Sequence, residues 1–302
     1  MYSSILVPLD TSEFSEDALP LARELATRLK STLHLVHVVP PAPEVGLKSP
    51  EQEVEWMSRV HEGAAEYLNE VANRDSELDV RTGVLQGRPV PTLARYVQDH
   101  DISLVVMTSH GSGGLERWWL GSVADGLLRR GQCDVLVVRP WDETEEREKA
   151  RAPRFSRLVV PLDGSGTAEV ALKPALELAE AFSARVTALQ VVPAAVELTS
   201  VQGVRGVRLE GEGHRRRIAE ARSHLEAVAE RLAGAPVDFR VVEHQSAAEG
   251  VIRTARELEA DLIVMSSHGR GGLARVVLGS VADKVVRGSV LPVLVVRPPA
   301  DE

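Results

Sequence analysis

The chain has 302 residues, 44% apolar and 26% charged, with a net charge of −9. That length carries two ordinary domains, each able to bury its own core. The acidic balance argues against nucleic acid or an anionic membrane as the main partner, because both attract a basic excess.

Cys133 is the only cysteine, which rules out an internal disulfide and fits a reducing compartment. The N-terminus enters Ser4-Ile-Leu-Val-Pro8 without a basic flank or a signal-length apolar core, and no apolar run approaches a membrane span. The sequence reads as cytoplasmic. Residues 5–7 form a short β-type run, followed by a helical stretch over 13–30 with Ala18, Leu21, Leu25 and Leu29 on one stripe. Residues 33–39 are strand-like and end at Pro40-Pro41; a proline-bearing loop then leads into a long helix over 51–73. A third strand is predicted over 80–85, a helix over 90–98 and a fourth strand over 104–107. After a glycine-bearing loop come a helix over 123–130 and a last strand over 135–138.

The same order then repeats. Val7-Pro-Leu-Asp10 returns as Val160-Pro-Leu-Asp163, Ser109-His-Gly111 as Ser267-His-Gly269, Gly121-Ser-Val-Ala-Asp125 as Gly279-Ser-Val-Ala-Asp283, and Leu136-Val-Val-Arg-Pro140 as Leu294-Val-Val-Arg-Pro298. Repeats of this length are whole domains. The predicted strands of the second copy are 158–162, 186–192, 239–243, 262–265 and 293–296, and its helices 168–181, 215–232, 248–258 and 281–287. We therefore divide the chain into a first domain over 1–141, a charged linker over 142–154 and a second domain over 155–302. Glu197 to His214, rich in glycine, reads as a mobile loop over one face of the second copy. Short apolar strands alternating with helices predict an α/β fold: a parallel sheet covered on both faces, of order 3-2-1-4-5 in each domain.

In such a sheet ligands bind beyond the C-terminal strand ends where the order reverses, here between strands one and four. Asp10 and Met107 flank that point in copy one, and Asp163 and Met265 in copy two. A carboxylate there can accept from ribose hydroxyls or an adenine amine; a turn-forming cap of the next helix is the plainer role. The loop after strand four reads Thr108-Ser-His-Gly-Ser-Gly-Gly-Leu-Glu-Arg-Trp-Trp-Leu-Gly-Ser122, and Ser266-Ser-His-Gly-Arg-Gly-Gly-Leu-Ala-Arg-Val-Val-Leu-Gly-Ser280 in copy two. It matches neither the P-loop nor the dinucleotide fingerprint. What repeats is a glycine, nine residues, then Gly-Ser. Glycines let backbone amides approach an anion, and the helix N-terminus adds unpaired donors. Ser122 and Ser280 occupy the expected N-cap positions.

With these motifs the sequence resembles the universal stress protein family in its tandem form, over nearly the whole chain. The resemblance implies two flavodoxin-like domains, each with a site for ATP, and Mg2+ held by the nucleotide's own phosphates. Phosphates would meet Gly111, Gly121, Ser122 and Val123, and in copy two Gly269, Gly279, Ser280 and Val281. Pro8, Leu9, Asp10, Val38 and Met107 would surround adenine and ribose, matched by Pro161, Leu162, Asp163, Val191 and Met265. The sequence departs from the family motif at Thr108 and Ser266, where the family has glycine: a Cβ there narrows the approach, while its hydroxyl offers a replacement contact. The family also pairs domains or subunits through the last strand, so 135–138 is expected to pair with 293–296, with a further homodimer left open.

Glu116 and Arg117 cancel in the first loop, whereas Arg270 and Arg275 leave the second with two positive charges, which predicts tighter nucleotide binding in copy two. His110 and His268 read as solvated loop histidines, with no nucleophile or metal-ligand spacing around them. Trp118 and Trp119 give way to Val276 and Val277, which favours packing over base stacking. Cys133 reads as a small packing residue. The expected function is a nucleotide-responsive stress regulator. A scaffold with empty sites and a slow ATPase or nucleotidyl-transfer enzyme remain the alternatives.

Overall fold

The computed structural model describes residues 2–41, 49–74, 77–109, 120–130, 132–139, 155–194, 212–232, 234–269 and 278–298. The expected linker over 142–154 lies outside them. So does most of the glycine-rich stretch before His214, whose last residues open a helix instead of a loop. The chain divides into two compact units, one built on the chain up to Arg154 and the other from Phe155 onward.

Unit one runs β1 (Ser4–Pro8), α1 (Glu13–Glu16), α2 (Leu19–Leu29), β2 (Thr32–Val39), α3 (Pro50–Ala72), β3 (Val80–Gln86), α4 (Pro89–Asp99), β4 (Leu104–Thr108), α5 (Ser122–Arg130) and β5 (Asp134–Val138). β1 pairs with β2 and β4, β2 with β3, and β4 with β5, all parallel. The order is therefore 3-2-1-4-5, as expected. Ile5, Leu6 and Val7 are fully buried, as a strand covered on both faces must be. Right-handed crossovers carry α2 and α3 to one face of the sheet and α4 and α5 to the other.

Unit two repeats this with β6 (Arg157–Leu162), α6 (Gly166–Glu169), α7 (Leu172–Phe182), β7 (Arg185–Pro193), α8 (Glu212–Arg231), β8 (Val237–His244), α9 (Ala247–Glu257), β9 (Leu262–Ser266), α10 (Ser280–Gly288) and β10 (Val293–Val296). Its parallel pairs are β6–β7, β6–β9, β7–β8 and β9–β10. Among the described residues no helix is long and apolar enough to cross a membrane.

One expectation is corrected. The single helix predicted after each first strand is two: α1 then α2, and α6 then α7. Pro20 and Pro174 stand near the start of the second helix of each pair, where a proline ring clashes with the carbonyl four residues back. The chain turns there, and a short helix is set apart beside the aspartate.

Candidate nucleotide site

The two ends of the glycine loop are fastened to each other at the mouth of each sheet. In unit one the Ser109 amide donates to the Val138 carbonyl (2.8 Å) and the Gly121 amide to the Ser109 carbonyl (2.7 Å). In unit two Ser267 donates to Val296 (2.9 Å) and Gly279 to Ser267 (2.8 Å). A helix starts one residue later in each, so strand end, glycine and helix N-terminus share one spot. A Cβ on Gly279 would lie 3.0 Å from the Ser267 carbonyl oxygen, which explains a glycine there.

Gly279, not Ser280, is the N-cap of α10, with φ −60° and ψ 149° and no side-chain cap hydrogen bond. Ser280 is the first residue inside the helix, as Ser122 is in α5. The shift follows from the stem, which already commits the glycine amide to the strand end. Ser122, Ser280 and Val281 are exposed, and Val123 is half-buried.

Asp10 and Asp163 lie just beyond the ends of β1 and β6. Asp10 Oδ1 accepts from the Ser12 amide (3.1 Å) and hydroxyl (2.5 Å). Asp163 Oδ1 accepts from the Ser165 amide (3.0 Å) and hydroxyl (2.6 Å). Ser12 and Ser165 in turn cap α1 and α6. The plainer role foreseen for the aspartates is thus present: one carboxylate oxygen braces the turn. A Cβ on Gly269 would lie 2.2 Å from Asp163 Oδ2, so the start of the glycine loop and the aspartate meet here, and a larger residue would displace the carboxylate.

Around this point Pro8, Pro161, Val38 and Val191 are half-buried and Leu9 and Leu162 buried. Met107 and Met265 are 7% and 5% exposed and belong to the core under the mouth. Thr108 and Ser266, in the family glycine position, end β4 and β9 and are 6% and 5% exposed. The Ser266 hydroxyl accepts from the His268 amide (3.3 Å). His268 is not a solvated histidine: its Nδ1 meets the Ser267 hydroxyl (3.0 Å), and Nε2 is buried, with no hydrogen-bond partner among the described residues. Gly111, His110, Glu116, Arg117, Trp118, Trp119, Arg270, Arg275, Val276 and Val277 lie outside the described residues.

The sequence profile described as the universal stress protein family matches residues 1–139 and again 154–297. This chain belongs to the universal stress protein family. It is similar to Universal stress protein Rv2005c of Mycobacterium tuberculosis, with 30% identity over 307 residues, covering 97% of this chain and 96% of that protein. It is also similar to Universal stress protein MJ0531 of Methanocaldococcus jannaschii, with 33% identity over 142 residues, 46% of this chain and 83% of that protein. Among solved structures, a universal stress protein from Archaeoglobus fulgidus superposes with a TM-score of 0.70 at 22% identity, covering 98% of this chain and 99% of that one.

Within this universal stress protein fold, several residues near the mouth carry no sequence motif. His37 Nδ1–H donates to the Leu9 carbonyl (2.8 Å), fixing the chain just before Asp10. Glu16 accepts from the Tyr67 hydroxyl (3.0 Å) and from Arg74 (2.6 Å), tying α1 to the end of α3. Glu169 does the same in unit two with His224 and Arg231. The available signal was the repeat itself: in both copies an acid sits six residues after the aspartate, and an arginine stands at the end of the long helix or just past it.

Proposed function

We propose that each unit holds an adenine nucleotide, ATP by resemblance, at the mouth between its first and fourth strands, and that the chain acts as a nucleotide-responsive regulator in stress. The observation that carries this is the same closed glycine stem beside a helix N-terminus in both copies, with a glycine, which offers no capping side chain, as the N-cap of α10. Unpaired helix amides there are suited to an anion. Without a Cβ, Gly269 and Gly279 bring the backbone close against Asp163 and the Ser267 carbonyl at this mouth. No group of three His, Cys, Asp or Glu side chains is placed to hold a metal among the described residues. Mg2+, if carried, would be held by the nucleotide's phosphates.

Mass spectrometry of small molecules released from the denatured protein, with calorimetry using ATP, tests this. Release or uptake of adenine nucleotide supports it. A protein that releases none and takes up none is a scaffold, consistent with Asp163 and Ser266 each spending an oxygen within the fold. Gly269→Ala is expected to weaken binding by about tenfold or more, since Asp163 must move for the new methyl. The charge of Arg270 and Arg275 predicts a larger loss there than for Gly111→Ala; equal losses refute the asymmetry. A single-turnover assay with labelled ATP separates a binder from a slow ATPase. We further infer that β5 and β10, apolar and outermost in their own units, pair with each other.

A further inference from the structure

The clasp on the short helix after each aspartate turn differs between the units at one position. Tyr67 and His224 each stand seven residues before the arginine that completes the clasp. Tyr67 bonds Glu16 on α1. His224 has a second ring nitrogen: Nε2 lies 2.9 Å from Glu169 Oε1, and Nδ1 lies 3.0 Å from Gln190 Oε1. Gln190 is 7% exposed and precedes Val191 in β7. His224 thus spans from the helix behind the Asp163 turn to the strand that carries Val191.

Both ring nitrogens face oxygen. A doubly protonated imidazole donates to both, with a charge-assisted bond to Glu169, whereas a neutral ring has one N–H and keeps both contacts only with the Gln190 amide turned to present its NH2. Burial, and then Glu16, push the Tyr67 phenol well above its ordinary range, so its clasp keeps one charge state. Imidazole is the side chain that changes charge near neutrality. Glu220, one turn before His224 on α8, accepts from Arg216. Arg231 is bound to the second oxygen of Glu169, and Glu243, on the α8 side of β8, is bound to His214 nearer the start of α8.

We propose that His224 is a proton-operated latch on the nucleotide site of unit two, tightening the Asp163 turn when protonated, while unit one has no such response. The path is short: Glu169 ends α6, Ser165 caps it, and the Ser165 amide and hydroxyl hold Asp163. The proposal rests on the nucleotide reading above, and its test separates the two.

The full-length chain carrying Asp10→Ala, which leaves the unit-two site, is titrated with ATP by calorimetry at pH 6 and pH 8. The chain carrying Asp163→Ala reports unit one under the same conditions and cancels the nucleotide's own protonation. Affinity in unit two is expected to fall about fivefold more than in unit one as pH rises, the weight of one hydrogen bond. His224→Tyr should bind ATP and remove that excess; an excess that persists in His224→Tyr overturns the latch. If neither site takes ATP at either pH, the nucleotide reading fails alone. The latch is then read from amide exchange of α6, corrected for intrinsic rates. Protection that is stronger at pH 6 in the wild type and pH-independent in His224→Tyr supports it; identical profiles overturn it.

Discussion

Thr11, directly after Asp10, holds a φ of 66°, while its counterpart Gly164 in unit two has a φ of 84°. A β-branched residue enters that left-handed region at a cost of about 1–3 kcal/mol, and glycine does not. Thr11→Gly is therefore expected to raise stability by about 1 kcal/mol, and Gly164→Thr to lower it by a similar amount, read from urea unfolding midpoints. His34 offers a second residue-scale test. It is 2% exposed, meets the Tyr96 hydroxyl through Nδ1 (2.9 Å), and has the His100 ring 5.8 Å away. Burial first, then Arg81 and His100, lower its pKa from the ordinary 6.5, against a smaller opposing pull from Asp79. A histidine depressed in the folded state gives stability that is present above its unfolded pKa and lost as pH falls through its folded one. Stability should thus decline on acidification below about pH 6.5, and His34→Gln should flatten that part of the profile, as measured by urea melts across pH. Neither feature could be read from sequence: a backbone angle leaves no residue signature at Thr11, and His34 and Tyr96 are 62 residues apart.

At the scale of elements the sequence is more transparent, because each strand and helix follows from a local pattern. Uninterrupted apolar runs such as Val293–Val296 gave buried strands, and β10 is buried at every position. The outermost β8 alternates exposed and covered residues over Val237–His244 and was recovered with its ends short. The split of the first helix was missed because its apolar stripe continues across Pro20 as if nothing intervened. Caps are local too. The Ser246 hydroxyl accepts from the Glu249 amide (3.4 Å) at the start of α9, so Ser246→Ala is expected to cost about 1 kcal/mol in chemical denaturation. At the candidate site, motif spacing named the glycines and aspartates. It misplaced the cap by one residue, because the strand-end carbonyl that claims the Gly279 amide is twelve residues away in sequence.

For the whole molecule, duplication was legible from four paired motifs, and each unit reproduces the same strand order. Halves spanning 1–141 and 155–302, produced apart, are expected to unfold cooperatively and to associate one-to-one when mixed, as followed by analytical ultracentrifugation. Halves that fold but ignore each other would remove the proposed pairing of β5 with β10. The fastening of Gly121 to Ser109, and of Gly279 to Ser267, has an evolutionary consequence. Two ends fastened together at the strand leave the sequence between them free to change without disturbing the sheet below. Once the ancestral gene doubled, each copy could alter the charge of that stretch of sequence, as Glu116 against Ala274 shows. One architecture can in this way come to serve two ligand preferences within a single polypeptide.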